Sequence, residues 1–186
     1  MATTSEFRNG MVIRLDGELW TMVEFQHVKP GKGGAFVRTR LKNVKSGRVI
    51  DRTFRSGEKV EDVRLEKKPV QFLYRGEREF VFMDTNTYDQ IFASEEVVGE
   101  AINFMKEGGE VELLFQGEEP IGIELPIFVE LRVEKTDPGV KGDTATGGSK
   151  PATLETGAVL QVPLFIKNGE IIKVDTRTGE YVERVK

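Results

Sequence analysis

Leu19-Trp20-Thr21-Met22-Val23-Glu24-Phe25-Gln26-His27-Val28 and Ala35-Phe36-Val37-Arg38-Thr39-Arg40-Leu41 flank the segment Lys29-Pro30-Gly31-Lys32-Gly33-Gly34. Both flanking runs read as strands. Glycine reaches positive φ at little steric cost and proline presets a turn value, so the segment between them predicts a tight reversal. Lys32 therefore falls at the tip of a hairpin. An amine surrounded by glycines has almost no side chains to pack against, so its use lies outside the chain's own core. On the outgoing strand, period-two alternation puts Phe36, Arg38 and Arg40 on one face and Val37, Thr39 and Leu41 on the other.

Working outward, the same pattern of short alternating runs divided by turn residues covers most of the 186 residues and predicts an all-β chain. Around the tip, Met11–Leu15, Arg48–Phe54 and Val60–Leu65 complete a small five-stranded barrel, turned at Asp16-Gly17, Ser46-Gly47 and Ser56-Gly57. A second set follows: Pro69–Tyr74, Glu79–Asp84, Tyr88–Phe92, Glu110–Phe115 and Glu118–Glu124. It encloses one predicted helix, N-capped by Ser94, with Glu95 and Glu96 at its start, Val97, Val98, Ala101, Ile102 and Met105 on one face, and a stop at Gly108-Gly109. Five strands with one short helix inserted late fit an OB-type barrel. The last third opens on Ile127–Glu134 and continues, after a loop from Thr136 to Ala152, with Thr153–Glu155, Ala158–Val162, Glu170–Val174 and Tyr181–Val185. Asn168-Gly169 and Thr178-Gly179 read as hairpin turns, and the set reads as a second OB-like barrel. Domains are expected at 1–64, 65–128 and 129–186, joined without long Gly/Ser or Pro-rich linkers.

Composition narrows the chemistry. Hydrophobic residues make up 38% and charged residues 31%, which suits several small cores. With no cysteine, disulfides, thiolate metal sites and cysteine nucleophiles are excluded. The N-terminus lacks a basic and apolar leader pattern, and no run approaches a membrane span, so the chain is read as cytoplasmic with no membrane partner. The net charge of −4 conceals an asymmetry: the first 64 residues carry +5, the next 64 carry −9, and the remainder is balanced. Within 28–55 stand nine basic side chains (Lys29, Lys32, Arg38, Arg40, Lys42, Lys45, Arg48, Arg52 and Arg55) and one acid, Asp51. That is a local footprint for a polyanion, with Arg38, Arg40 and Lys42 as candidate contacts to it.

Rival readings of the motifs fail on context. For a nucleotide-binding P-loop, the first glycine is required where Gln26 stands, and the residue after Lys32 is Gly33 rather than Ser or Thr. A strand follows where a helix is needed. His27 is the single histidine and lies in the strand entering the tip, where a general base has no evident partner. Glu95-Glu96 and Glu118-Glu119 are sequence neighbours that point apart, and read as solvated charge. No catalytic residue, metal site or cofactor is predicted. The polar segment Gly142-Asp143-Thr144-Ala145-Thr146-Gly147-Gly148 reads first as a connector, although OB-barrel loops often approach sugar and phosphate.

Taken together, His27 to Arg38, Leu41-Lys42-Asn43-Val44, Phe82-Met83-Asp84 with Tyr88, and Val140-Lys141-Gly142-Asp143-Thr144 near Gly157-Ala158 resemble the bacterial elongation factor P family over essentially the whole chain. The resemblance implies three small barrels, an N-terminal KOW/SH3-like barrel and two OB folds, in an L-shaped, tRNA-like arrangement. It implies a monomer that is not an enzyme and that binds the 70S ribosome, rRNA and ribosomal proteins together, between the peptidyl- and exit-tRNA sites. There it relieves stalling at consecutive prolines. The tip, Lys29, Pro30, Gly31, Lys32, Gly33 and Gly34, is then the loop that reaches the CCA end of peptidyl-tRNA, including prolyl-tRNA. Lys32 becomes the candidate for post-translational modification by a lysine-modifying enzyme; a lysine here excludes arginine-directed rhamnosylation. Gly142, Asp143, Thr144, Tyr181 and Arg184 match C-terminal positions that contact the small subunit and bound tRNA in that family.

Overall fold

A computed structural model describes residues 1–139 and 148–186. The strands are β1 (Ala2–Thr3), β2 (Val12–Leu15), β3 (Glu18–Val28), β4 (Phe36–Asn43), β5 (Val49–Arg55), β6 (Lys59–Val63), β7 (Glu66–Arg75), β8 (Glu79–Asp84), β9 (Gln90–Ser94), β10 (Glu110–Gln116), β11 (Glu119–Glu124), β12 (Phe128–Thr136), β13 (Ser149–Leu154), β14 (Val159–Pro163), β15 (Ile171–Asp175) and β16 (Glu180–Arg184). They form three sheets, ordered β1-β6-β2-β3-β4-β5, β11-β10-β7-β8-β9 and β14-β13-β12-β15-β16. The all-β expectation holds. By backbone proximity the chain divides into two compact units, 1–67 with 114–122, and 68–113 with 123–186.

In the first unit, alternation along β4 is strict: Val37, Thr39, Leu41 and Asn43 are buried while Arg38, Arg40 and Lys42 are exposed. The buried set joins Ile13, Trp20, Met22, Phe54 and Val60 in one core. The N-terminal residues, which strand patterning leaves unassigned, complete it. Ala2 pairs with Val60, and Phe7 meets Phe54 edge to face at 5.4 Å, closing the core with an aromatic plug. The sequence Leu41-Lys42-Asn43-Val44 has a structural reason of its own. Asn43 is buried, and its Oδ1 accepts hydrogen bonds from the Lys45 and Ser46 amides at 3.0 and 2.9 Å, which shapes the β4–β5 turn.

In the second unit, Val70, Phe72, Phe80, Phe82, Val98, Met105 and Leu113 are buried, with Phe72 ring-packed against both Phe80 and Phe82. The predicted helix is corrected here. Residues Glu95–Val98 form one α-helical turn, α1, and Gly99–Phe104 continue as a 3-10 segment. Gly99 at φ 51° and ψ −135° breaks the helical path, and Ser94 makes no side-chain cap hydrogen bond. Val98 and Met105 are nevertheless buried, so the apolar positions serve the core without a regular helix.

The third sheet surrounds Leu131, Val133, Leu154, Val162, Ile166, Ile172 and Val174. Its edge strands β14 and β16 approach each other, curling the sheet toward closure. Two expectations change. Strand β13 begins at Ser149, inside the segment read as loop for its low apolar content; in the fold Lys150 and Ala152 are buried and Pro151 pairs with Gln161. Asn168-Gly169 does not turn a hairpin, since β14 and β15 lie on opposite sides of the sheet. Asn168 Oδ1 instead accepts the Thr136 amide at 2.7 Å, and the Gly169 amide donates to Val133 O at 2.7 Å. Thr178-Gly179 does join the paired strands β15 and β16.

Candidate functional site

Strands β3 and β4 pair from Trp20↔Asn43 out to Val28↔Phe36, with a register shift between Met22 and Glu24. Residues 29–35 cap the hairpin. Gly33 takes φ +108°, a conformation that L side chains rarely adopt. Gly31 and Gly34 have no positive φ, and a Cβ at either meets nothing within 4 Å. The chain itself thus requires one glycine of the three. Lys32 is exposed, and among the described residues neither Lys32 nor Lys29 has a hydrogen-bond or ion-pair partner. His27 is exposed beside the tip and rests edge-on against Phe25, ring centres 5.7 Å apart.

The outer face of the hairpin is arranged in cross-strand rows. Nearest the tip, Phe36 stands between Val28 and Arg55; next, Arg38 between Gln26 and Thr53; then Arg40 between Glu24 and Asp51; and finally Lys42 between Thr21 and Val49. These rows differ in charge. Arg40 is held by Asp51 at 3.2 Å and Glu24 at 3.7 Å, so its row carries more acid than base. Arg48 is likewise committed, 3.5 Å from Glu18 and stacked over the Trp20 ring at 5.3 Å. The charge run along the sequence shows one acid, but the neighbouring strand β3 supplies two more. Arg38 instead has its guanidinium over the Phe36 ring at 5.5 Å. Among the described residues Arg38, Arg55 and Lys42 have no ion-pair partner.

The remaining predicted positions lie in the second unit. Tyr181 on β16 packs partly buried against the third core and lines a cavity of about 820 Å³ with Val159, Val162 and Phe165. Arg184 pairs with Glu170 at 3.2 Å and covers the Phe165 ring at 5.7 Å. The Lys167 amide, and secondarily Arg184, hold the Glu170 carboxyl below its ordinary value. Gly142, Asp143 and Thr144 lie outside the described residues. Asp84, in one of the motifs carrying the resemblance, is a turn former: its Oδ1 accepts the Asn86 and Thr87 amides at 2.7 and 3.1 Å, which lowers its pKa. Tyr88 in that turn is exposed at φ 65°. Of the paired carboxylates, Glu95 bonds Arg75 at 3.2 Å. Among the described residues no three His, Cys, Asp or Glu side chains are grouped to hold a metal ion, and no helix is long and apolar enough to cross a membrane.

The model of the elongation factor P KOW-like domain matches residues 3–60, that of the elongation factor P OB domain residues 65–123, and that of the elongation factor P C-terminal domain residues 129–184. The elongation factor P of Natranaerobius thermophilus is 56% identical over 100% of this chain and 99% of its own length. The chain belongs to the elongation factor P family. The elongation factor P of Acidothermus cellulolyticus is 57% identical over 99% of this chain and 98% of its own length. Among solved structures, translation initiation factor 5A from Methanococcus jannaschii aligns with a TM-score of 0.49 at 24% identity, over 67% of this chain and 90% of that one. Elongation factor P is a translation factor rather than an enzyme, and the first sheet with its Lys32 hairpin falls in the KOW-like part of the family.

Proposed function

We propose that this chain binds the ribosome between the peptidyl- and exit-tRNA sites and promotes peptide-bond formation at consecutive prolines by positioning peptidyl-tRNA through Lys32. The observation that carries this reading is a lysine with no partner among the described residues, on a glycine loop whose own fold needs only Gly33. Gly31 and Gly34 leave the tip slim, as entry into a narrow RNA-lined space demands. Proline is a constrained, poor nucleophile, and a run of prolines disfavours reactive geometry. The factor supplies no acid, base or nucleophile; it restores alignment. Near-attack positioning is worth about 7 to 11 kcal/mol in ideal cases, so a fraction of that suffices to relieve a stall.

In this reading residues 29–34 meet the CCA end, and cations on the hairpin's outer face meet RNA backbone. Of the three expected contacts, Arg38 has charge to offer on the tip side, Arg40 is occupied by Glu24 and Asp51, and Lys42 lies beyond that acidic row. Domains at 1–64, 65–128 and 129–186 divide the work. The C-terminal one carries Gly142, Asp143, Thr144, Tyr181 and Arg184 toward the small subunit and bound tRNA, with the protein acting as a monomer. Lys32 is the position for a lysine-modifying enzyme, and the intact mass of protein from its own host reports the added group.

Lys32→Ala is expected to abolish most rescue of a reporter carrying three consecutive prolines while ribosome binding persists, because the barrels supply most docking contacts. Loss of binding along with rescue counts against that division. A general RNA-binding module binds free single-stranded RNA and has no proline-specific effect, so the reporter with and without prolines separates the two.

A further inference from the structure

The geometry points to a two-arginine phosphate clamp at the tip end of the hairpin, formed by Arg38 and Arg55 around Phe36, with the Arg40 row as the boundary of the RNA footprint. The inference rests on the proposed ribosomal role and names which residues of that surface take the phosphodiester backbone. Arg55 stands directly opposite Phe36, and Arg38 follows two residues after it on the same face. Arg38 pairs with Thr53, so Arg55 is its diagonal neighbour, at about 7–8 Å between backbones. Both side chains are exposed, and among the described residues neither guanidinium is in an ion pair. The Arg55 amide accepts its own order from elsewhere: it donates to Glu58 Oε2 at 2.8 Å, which fixes the backbone at the end of β5.

Phe36 gives the pair direction. Its ring carries the Arg38 guanidinium at 5.5 Å, so the fork is stacked before any ligand arrives and loses less rotamer freedom on binding. Arginine forks suit phosphate oxygens in a bidentate manner. Immediately beyond, the Glu24–Arg40–Asp51 row repels a polyanion, because two carboxylates flank one guanidinium. The positive surface is therefore short. It runs from Lys29 and Lys32 at the tip to Arg38 and Arg55, and Lys42 lies across the acidic row.

The test measures binding of the full-length protein to ribosomes carrying peptidyl-tRNA over a salt series. Each lost phosphate contact reduces the magnitude of the slope of log K against log salt by roughly 0.7 to 1. Arg38→Gln and Arg55→Gln are each expected to show that reduction, and Arg40→Gln to keep the wild-type slope. Phe36→Leu is expected to weaken binding at unchanged slope, since it removes the stacking surface and no charge. A wild-type slope in Arg55→Gln, or a reduced one in Arg40→Gln, overturns the clamp. If the wild-type protein itself binds without salt dependence, the RNA-contacting role of the whole hairpin falls with it. Circular dichroism of each variant separates misfolding from lost contact.

Discussion

Gly31, Gly33 and Gly34 look alike in sequence and differ in what they do. Gly33 alone occupies a φ closed to other residues, so Gly33→Ala is expected to redirect the loop and abolish rescue. Gly31→Ala and Gly34→Ala place a methyl in open space and are expected to leave the melting temperature unchanged, within the ±0.5 kcal/mol of ordinary surface substitutions. A loss of proline rescue in either then reports crowding against bound RNA, and full activity refutes that crowding. Asp84 offers a residue-scale prediction of a different kind. Two backbone amides depress its pKa, so its contribution to stability is complete above the ordinary carboxylate range and disappears as pH falls through the depressed value. Asp84→Asn is expected to melt below wild type at neutral pH and to converge with it in acid; parallel curves across the pH range contradict this.

At the scale of elements, turn chemistry and alternation specify strands well and their partners less well. Asn168-Gly169 has the dipeptide of a hairpin, yet the strands on either side are separated by β13 and β12 in the third sheet. Its side chain holds the end of β12 instead, through the Thr136 amide. Asn168→Ala is expected to cost about 1 kcal/mol, the net worth of one hydrogen bond, with accelerated amide exchange at Thr136; unaltered exchange there shows that the bond has no role. The helix after β9 makes the opposite point. Gly99 was visible among the apolar positions, and its low helix propensity is the reason that a single α-turn passes into 3-10 geometry.

On the scale of the whole molecule, residues 68–113 and 123–186 of the second unit are tied together by a few side chains. Phe104, from the 3-10 segment, packs against the third core and lies beside Gly179. Thr156 Oγ1 donates to Asn103 O at 2.6 Å, and Lys106 Nζ donates to Glu130 O at 2.9 Å. Phe104→Ala is expected to cost about 1 to 3 kcal/mol, less than the 3 to 5 of a fully buried phenylalanine. It is also expected to split one calorimetric transition of residues 68–186 into two. A single transition in the variant shows that the polar ties suffice.

Most of this architecture was legible from residues alone. Period-two burial and turn-forming dipeptides are local properties, so the strands, the β3–β4 hairpin and an exposed Lys32 followed from the sequence, and the family resemblance was carried by contiguous motifs. What only the tertiary structure decided is which charges remain available. Glu24 and Glu18 come from β3, more than a dozen residues before their partners Arg40 and Arg48, and only the β3–β4 register and the fold of the barrel bring them within 4 Å. Charge counted along a chain sees covalent neighbours; the field that meets a polyanion is set by neighbours across strands, which pairing alone creates.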